Sequence, residues 1–85
     1  MSWRLTVEYP TLGEGAYYWG TLDSDIVGAA GKLESGRGTR PVDGVRFLSF
    51  SFSSESAARN ARKRVLGLRR RGVKTVVGRF PLVGG

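Results

Sequence analysis

The chain has 85 residues, a formal net charge of +7, 40% apolar residues, and two Trp, three Tyr and four Phe. That is enough apolar material for one small packed domain spanning 1–85, and too much for wholesale disorder. It contains no Cys and no His, which excludes disulfides, thiolate or imidazole metal sites, and Cys or Ser–His nucleophilic chemistry. No apolar run approaches the roughly 20 residues of a membrane span, and the N-terminus lacks a signal peptide's apolar segment, so a cytoplasmic protein is expected.

Residues 3–9 alternate strictly, with Trp3, Leu5, Val7 and Tyr9 on one face and Arg4, Thr6 and Glu8 on the other, the pattern of a strand with one buried side. Pro10 ends it, and the glycines of Thr11-Leu12-Gly13-Glu14-Gly15 mark a turn. Residues 16–22 are rich in β-formers (Tyr17, Tyr18, Trp19, Thr21), so an N-terminal antiparallel β-hairpin is predicted. Across 24–34, Ile26, Ala29, Ala30 and Leu33 recur at helical spacing behind a capping Ser24 or Asp25. Gly28 and Gly31 each weaken that helix by about 1 kcal/mol, and a short strand is the alternative. Residues 35–44 read as a loop on composition.

Val45–Phe52 is the clearest strand. Leu48, Phe50 and Phe52 share one face, and Phe47, Ser49 and Ser51 the other. Ser53 or Ser54 then caps a helix over 55–71, with Glu55 in the first turn, Arg69, Arg70 and Arg71 in the last, and Gly72 as the stop. Residues 73–80 form a closing strand, ended by Pro81. The expected fold class is α+β: a two-layer sheet-plus-helix domain whose C-terminal half is a β-α-β unit with two parallel strands.

The charge is unevenly placed. Residues 46–85 carry ten Lys/Arg against Glu55 alone, whereas acids outnumber bases six to four in residues 1–45. Seven of the ten bases lie between Arg59 and Arg71. At about 100° per residue, Ala57, Ala58, Ala61, Val65 and Leu68 gather on one side of the helix. Arg59, Lys63 and Arg70 point away from them, flanked by Arg62 and Arg69, with Arg64 and Arg71 on the other flank. An ordinary solvated face mixes both signs. A face this one-sided points to a polyanionic partner. Arg37 and Arg40, in the glycine-rich loop, are candidates to close on the same ligand.

Aromatic residues on an exposed sheet face stack unpaired bases. Phe47 and Trp19 are the candidates here, with burial against the terminal segments or in a homodimer as the alternative. The seven acids are scattered. Asp23 and Asp25 form the one close pair, and Asp-Ser-Asp ahead of an apolar stretch fits a helix N-terminus better than a metal site. No cofactor, no metal and no catalytic residue is expected. The leading expectation is a non-enzymatic binder of RNA or DNA. The alternative is a protein-binding module or inhibitor of phage or mobile-element type, docking on an acidic partner through the same face.

The aromatic strand followed by Ser-Ser-Glu-Ser-Ala-Ala-Arg-Asn-Ala (53–61) resembles the second half of ferredoxin-like domains, RNA-recognition motifs and SPOR peptidoglycan-binding domains among them. The likeness covers under half the chain and lacks the Arg-Gly-Phe-Gly-Phe-type signature of the RNA-recognition motif. It implies a sheet-plus-helix fold and no particular activity. The terminal Gly84-Gly85 resembles the tail of ubiquitin-like sulfur carriers, but those β-grasp domains have at least two strands behind the helix, and one is expected here.

Overall fold

A computed structural model describes residues 2–80. Six elements follow in order: β1 (Ser2–Pro10), α1 (Asp23–Ala30), β2 (Gly36–Thr39), β3 (Val45–Phe52), α2 (Glu55–Leu66) and β4 (Lys74–Phe80). The four strands form one antiparallel sheet in the order β2-β3-β1-β4. With two helices on one face of that sheet, the molecule is α+β. No helix among the described residues is long and apolar enough to cross a membrane.

The alternation read from the sequence sets the two faces. In the β1–β3 register Leu5 faces Phe50, Val7 faces Leu48 and Tyr9 faces Arg46; on the other side of β1, Leu5 faces Val77. These residues lie under the helices. Arg4, Thr6, Glu8, Phe47, Ser49 and Ser51 occupy the opposite, uncovered face. The apolar stripe of α2 docks through Ala58, Ala61 and Val65, all fully buried, beside Ile26 and Ala30 of α1. Alanine at 58 and 61 lets the helix backbone approach the sheet closely. The larger buried side chains, Leu5, Leu48, Phe50 and Ile26, supply the hydrophobic stabilisation, about 1.5–3 kcal/mol each.

Several expectations are corrected. No hairpin pairs residues 3–9 with 16–22, of which 16–18 are irregular and 19–22 form turns. β1 is flanked by β3 and β4 instead, whose inward residues match its own, and the aromatics of 17–19 find partners elsewhere. The β3-α2-β4 unit does run its strands parallel, but β1 lies between them. The 24–34 stretch is a helix that stops at Ala30, where Gly31 takes a left-handed conformation (φ 80°) and its N–H bonds the carbonyl of Val27. Leu33 is therefore outside the helix and exposed. Neither Ser24 nor Asp25 caps α1; the cap position is Leu22, without a side-chain hydrogen bond. The 35–44 loop contains β2, an edge strand held to β3 by main-chain pairing.

α2 ends at Leu66, not at residue 71. Its start agrees with the sequence: Ser54 Oγ accepts the Ala57 N–H at 3.2 Å. At the other end, Gly67 weakens the helix, and Leu68 and Val73 turn in against the core, carrying the chain off the helix axis toward β4. Arg69 itself adopts a left-handed conformation, φ 53°. The closing glycines 84–85 and Pro81 lie outside the described residues.

Candidate nucleic-acid interface

The seven bases between 59 and 71 divide into three groups. Arg59 and Lys63 stand on the exposed side of α2, and Arg62 leans toward β4, donating to Thr75 Oγ1 at 3.0 Å. Arg59 pairs with Glu55 one turn earlier, Nε–Oε2 2.7 Å. Both partners are about half exposed, so water and salt screen the pair and it is worth at most a few tenths of a kcal/mol. Arg69, Arg70 and Arg71 form the turn that follows the helix. Arg70 reaches Asp25 of α1 at 3.7 Å, again between exposed side chains.

Arg64 has a structural role. Its Nε donates to the Ala29 carbonyl and its Nη2 to the Ala30 carbonyl, each at 2.8 Å. α1 has no basic residue in its own last turn, so α2 supplies the cation that its C-terminal carbonyls favour. Among the described residues Lys63, Arg69 and Arg71 make no ion pair. These three, with the weakly held Arg59 and Arg70 and with Arg62 at the β4 side, form a cationic ridge along α2 and around its C-terminal turn.

Arg37 and Arg40 do not join the ridge. They sit at the β2 edge, whereas Arg62 lies over β4 at the opposite edge. Arg37 pairs with Glu34 at 3.1 Å and approaches Asp23 at 3.9 Å. Arg40 pairs with Asp43 at 3.0 Å and Glu8 at 3.5 Å. The hydrogen bond from Arg40 holds the Asp43 carboxyl below its ordinary range, and Asp43 also accepts the Val45 N–H.

The two aromatic candidates are likewise separated. Phe47 lies on the uncovered sheet face with its ring over Gly38, where a Cβ would come within 2.9 Å of the ring. Any larger residue at 38 displaces it. Trp19 is on the helix side of the sheet, off the strands altogether. Its indole N–H donates to Thr39 Oγ1 at 2.8 Å, and its ring lies 4.6 Å from the Arg46 guanidinium.

Arg46 is the residue that the sequence reading passed over. It occupies the inward phase of β3, the row of Leu48, Phe50 and Phe52, and its side chain is 5% exposed. A guanidinium there requires a buried partner. Asp23 provides it, accepting from Arg46 Nη2 at 2.5 Å and Nε at 3.2 Å. Tyr9, opposite Arg46 on β1, donates its hydroxyl to Asp23 Oδ1 at 2.6 Å. No buried side-chain nitrogen or oxygen among the described residues lacks a hydrogen-bond partner. Burial works to raise the Asp23 carboxyl, but the hydrogen bonds from Arg46 and Tyr9 outweigh it and hold the group below its ordinary range. Burial, then the bond to Asp23, pushes the Tyr9 phenol up to about 12.

This network floors an open cleft of about 440 Å³ lined by Trp19, Asp23, Val27, Leu33, Glu34 and Arg37 among others. Asp23 faces Arg46 and Asp25 faces Arg70, so the two carboxylates serve different partners. Among the described residues no three acidic side chains gather as a metal site. No protein-family model, curated protein sequence or solved structure matches the chain.

Proposed function

We propose that the chain is a small, non-enzymatic nucleic-acid-binding protein that grips phosphates with the ridge of Arg59, Arg62, Lys63, Arg69 and Arg70, joined by Arg71. The carrying observation is that, with Arg64 committed to α1, six bases on α2 and its C-terminal turn face only Glu55 and Asp25 among the described acids, through exposed pairs that a phosphate displaces at little cost. The interleaved β-α-β-β-α-β order is read as a ferredoxin-like arrangement, and a cytoplasmic setting accompanies this function. The expectation of no catalysis rests on chemistry: the chain has no His and no Cys, and both carboxylates lining the cleft, Asp23 and Glu34, are engaged by arginines.

Phosphate-led binding releases counterions, so affinity for an oligonucleotide should fall with salt at a log–log slope of roughly −3 to −4, as expected for four or five neutralised phosphates. Replacing Lys63, Arg69 and Arg71 together by Gln should flatten that slope by about 2 to 3 and weaken all sequences alike. These side chains are exposed, so the melting temperature should hold. A slope unchanged by the triple substitution places the phosphates elsewhere. One observation favours the second reading, an acidic protein surface: Leu66, 42% exposed beside the cations, is a ready apolar anchor. That reading takes over when neither duplex nor single strand binds micromolar protein at about 50 mM salt.

A further inference from the structure

The cleft beside Trp19 has an aromatic wall and a charge-balanced floor, and residues next to its lining touch the ridge. The floor carries two acids, Asp23 and Glu34, against two arginines, Arg37 and Arg46, paired with one another. It therefore has little attraction for a free ion of either sign. Its volume falls within the roughly 300–1,000 Å³ of small-ligand sites. The Arg46 guanidinium covers one face of the indole, yet Trp19 remains 60% exposed. Its position is fixed on both sides, by the bond to Thr39 and by the cation beneath it. A rigid, half-uncovered indole suits a flat, uncharged, π-faced ligand.

Two contacts tie residues beside this cleft, Tyr17 and Asp25, to the cationic turn. Tyr17, two residues before Trp19, donates its hydroxyl to the Arg71 carbonyl at 2.6 Å, and its ring stands edge-on to Tyr9 at 5.8 Å. Arg70 reaches Asp25, beside the cleft-lining Ser24. A strand whose phosphates lie on residues 69–71 therefore has the Trp19 cleft as its neighbour.

We propose that the Trp19 cleft is a base slot, taking one unstacked nucleobase of a single-stranded nucleic acid whose backbone lies on the adjacent Arg69–Arg71 turn. The base stacks on the indole at the mouth of the cleft, and Ser24 and Glu34 offer polar groups to its edge. Duplex, whose bases are paired and stacked, does not enter. This inference rests on the nucleic-acid reading and makes it specific to single strands. It also moves stacking away from the uncovered sheet face, where Phe47 lies across from Glu8 of β1.

The test compares a ten-nucleotide single strand with an abasic strand carrying the same number of phosphates, each titrated against the full chain. The parent is expected to bind the base-bearing strand about tenfold more tightly, in line with the stacking energy of a single base. Trp19→Ala should abolish that preference while leaving affinity for the abasic strand unchanged, and Trp19→Phe should restore most of it. In a Trp3→Phe background, emission from Trp19 should be quenched by the base-bearing strand only. Equal affinity of the parent for both strands, or a preference that survives Trp19→Ala, overturns the base slot and leaves the phosphate ridge standing. Failure to bind either strand overturns both.

Discussion

Replacing Ala61 by Glu should cost on the order of 4–5 kcal/mol, enough to unfold much of a domain of this size. Ala61 is fully buried where α2 meets the sheet. Its methyl group sits in the hydrophobic cluster with Leu5, Val7, Leu48 and Phe50, and none of these can hydrogen-bond a carboxylate. The new charge must lie unpaired in the core, take up a proton, or push the helix away, and all three are costly. A drop in melting temperature of about 20 °C or more is expected. The control is Asn60→Glu, one residue away on the solvent side, which should change stability by no more than about 0.5 kcal/mol. If Ala61→Glu melts with the parent, the assignment of the buried helix face is wrong.

The second large effect is at Arg46. Arg46→Met keeps much of the apolar stem of the side chain but leaves the Asp23 carboxylate buried with the Tyr9 hydroxyl and only the distant, half-exposed Arg37 guanidinium, 3.9 Å away, and should cost about 3–5 kcal/mol. Removing the whole polar cluster, as Arg46→Met with Asp23→Leu and Tyr9→Phe, should recover most of that loss, because no uncompensated charge remains. The network also sets the pH limits of the fold. Tyr9 has a folded pKa near 12 against an ordinary 10.0, so its contribution is complete below pH 10 and is lost as pH rises through 12. That loss amounts to about 2–3 kcal/mol, at 1.36 kcal/mol for each pH unit of displacement. Asp23 is displaced downward from 3.8, so its contribution is present above that value and is lost as pH falls through the lower, folded one. Denaturant melts at alkaline pH should show the upper limb in the parent and a shallower one in Tyr9→Phe. Identical limbs would place the phenol in water.

The parts of the fold legible in the sequence are those where one apolar face decides the structure. β1 and β3 were readable because Leu5, Val7 and Tyr9, and Leu48, Phe50 and Phe52, alternate without a break. The docking face of α2 was readable because five small or apolar residues share one side. β2 was not, because Gly36-Arg37-Gly38-Thr39 has no apolar residue and is held by main-chain pairing at an edge. Residues 16–22 misled for the opposite reason. Their strand propensity is real, but Tyr17 and Trp19 are spent on Arg71, Thr39 and Arg46 instead of on a sheet. The end of α2 is hidden because the arginines at 69–71 and Gly72 imitate a helix terminus, whereas the helix ends earlier, capped by Gly67.

The candidate site was legible in charge and hidden in geometry. The surplus of arginine over 59–71 is plain from composition, but which arginines are free is a tertiary fact. Arg64 is committed to the carbonyls of Ala29 and Ala30, thirty-five and thirty-four residues away. Arg46 did carry a signal: an arginine in the inward phase of a strand, with a tyrosine in the inward phase of another, calls for a buried acid. Only the placement of α1 over the Tyr9–Arg46 pair shows that the acid is Asp23.

The most direct test of the central claim is a map of backbone amide shifts in the isotope-labelled chain as a short single-stranded oligonucleotide is added at low salt. The expected shifts fall on the exposed side of α2 around Arg59 and Lys63, on the Arg69–Arg71 turn, and on Tyr17–Trp19. Phe47, Ser49 and Ser51 on the uncovered sheet face should stay in place. Shifts concentrated on that sheet face, or none anywhere at saturating oligonucleotide, would contradict the account.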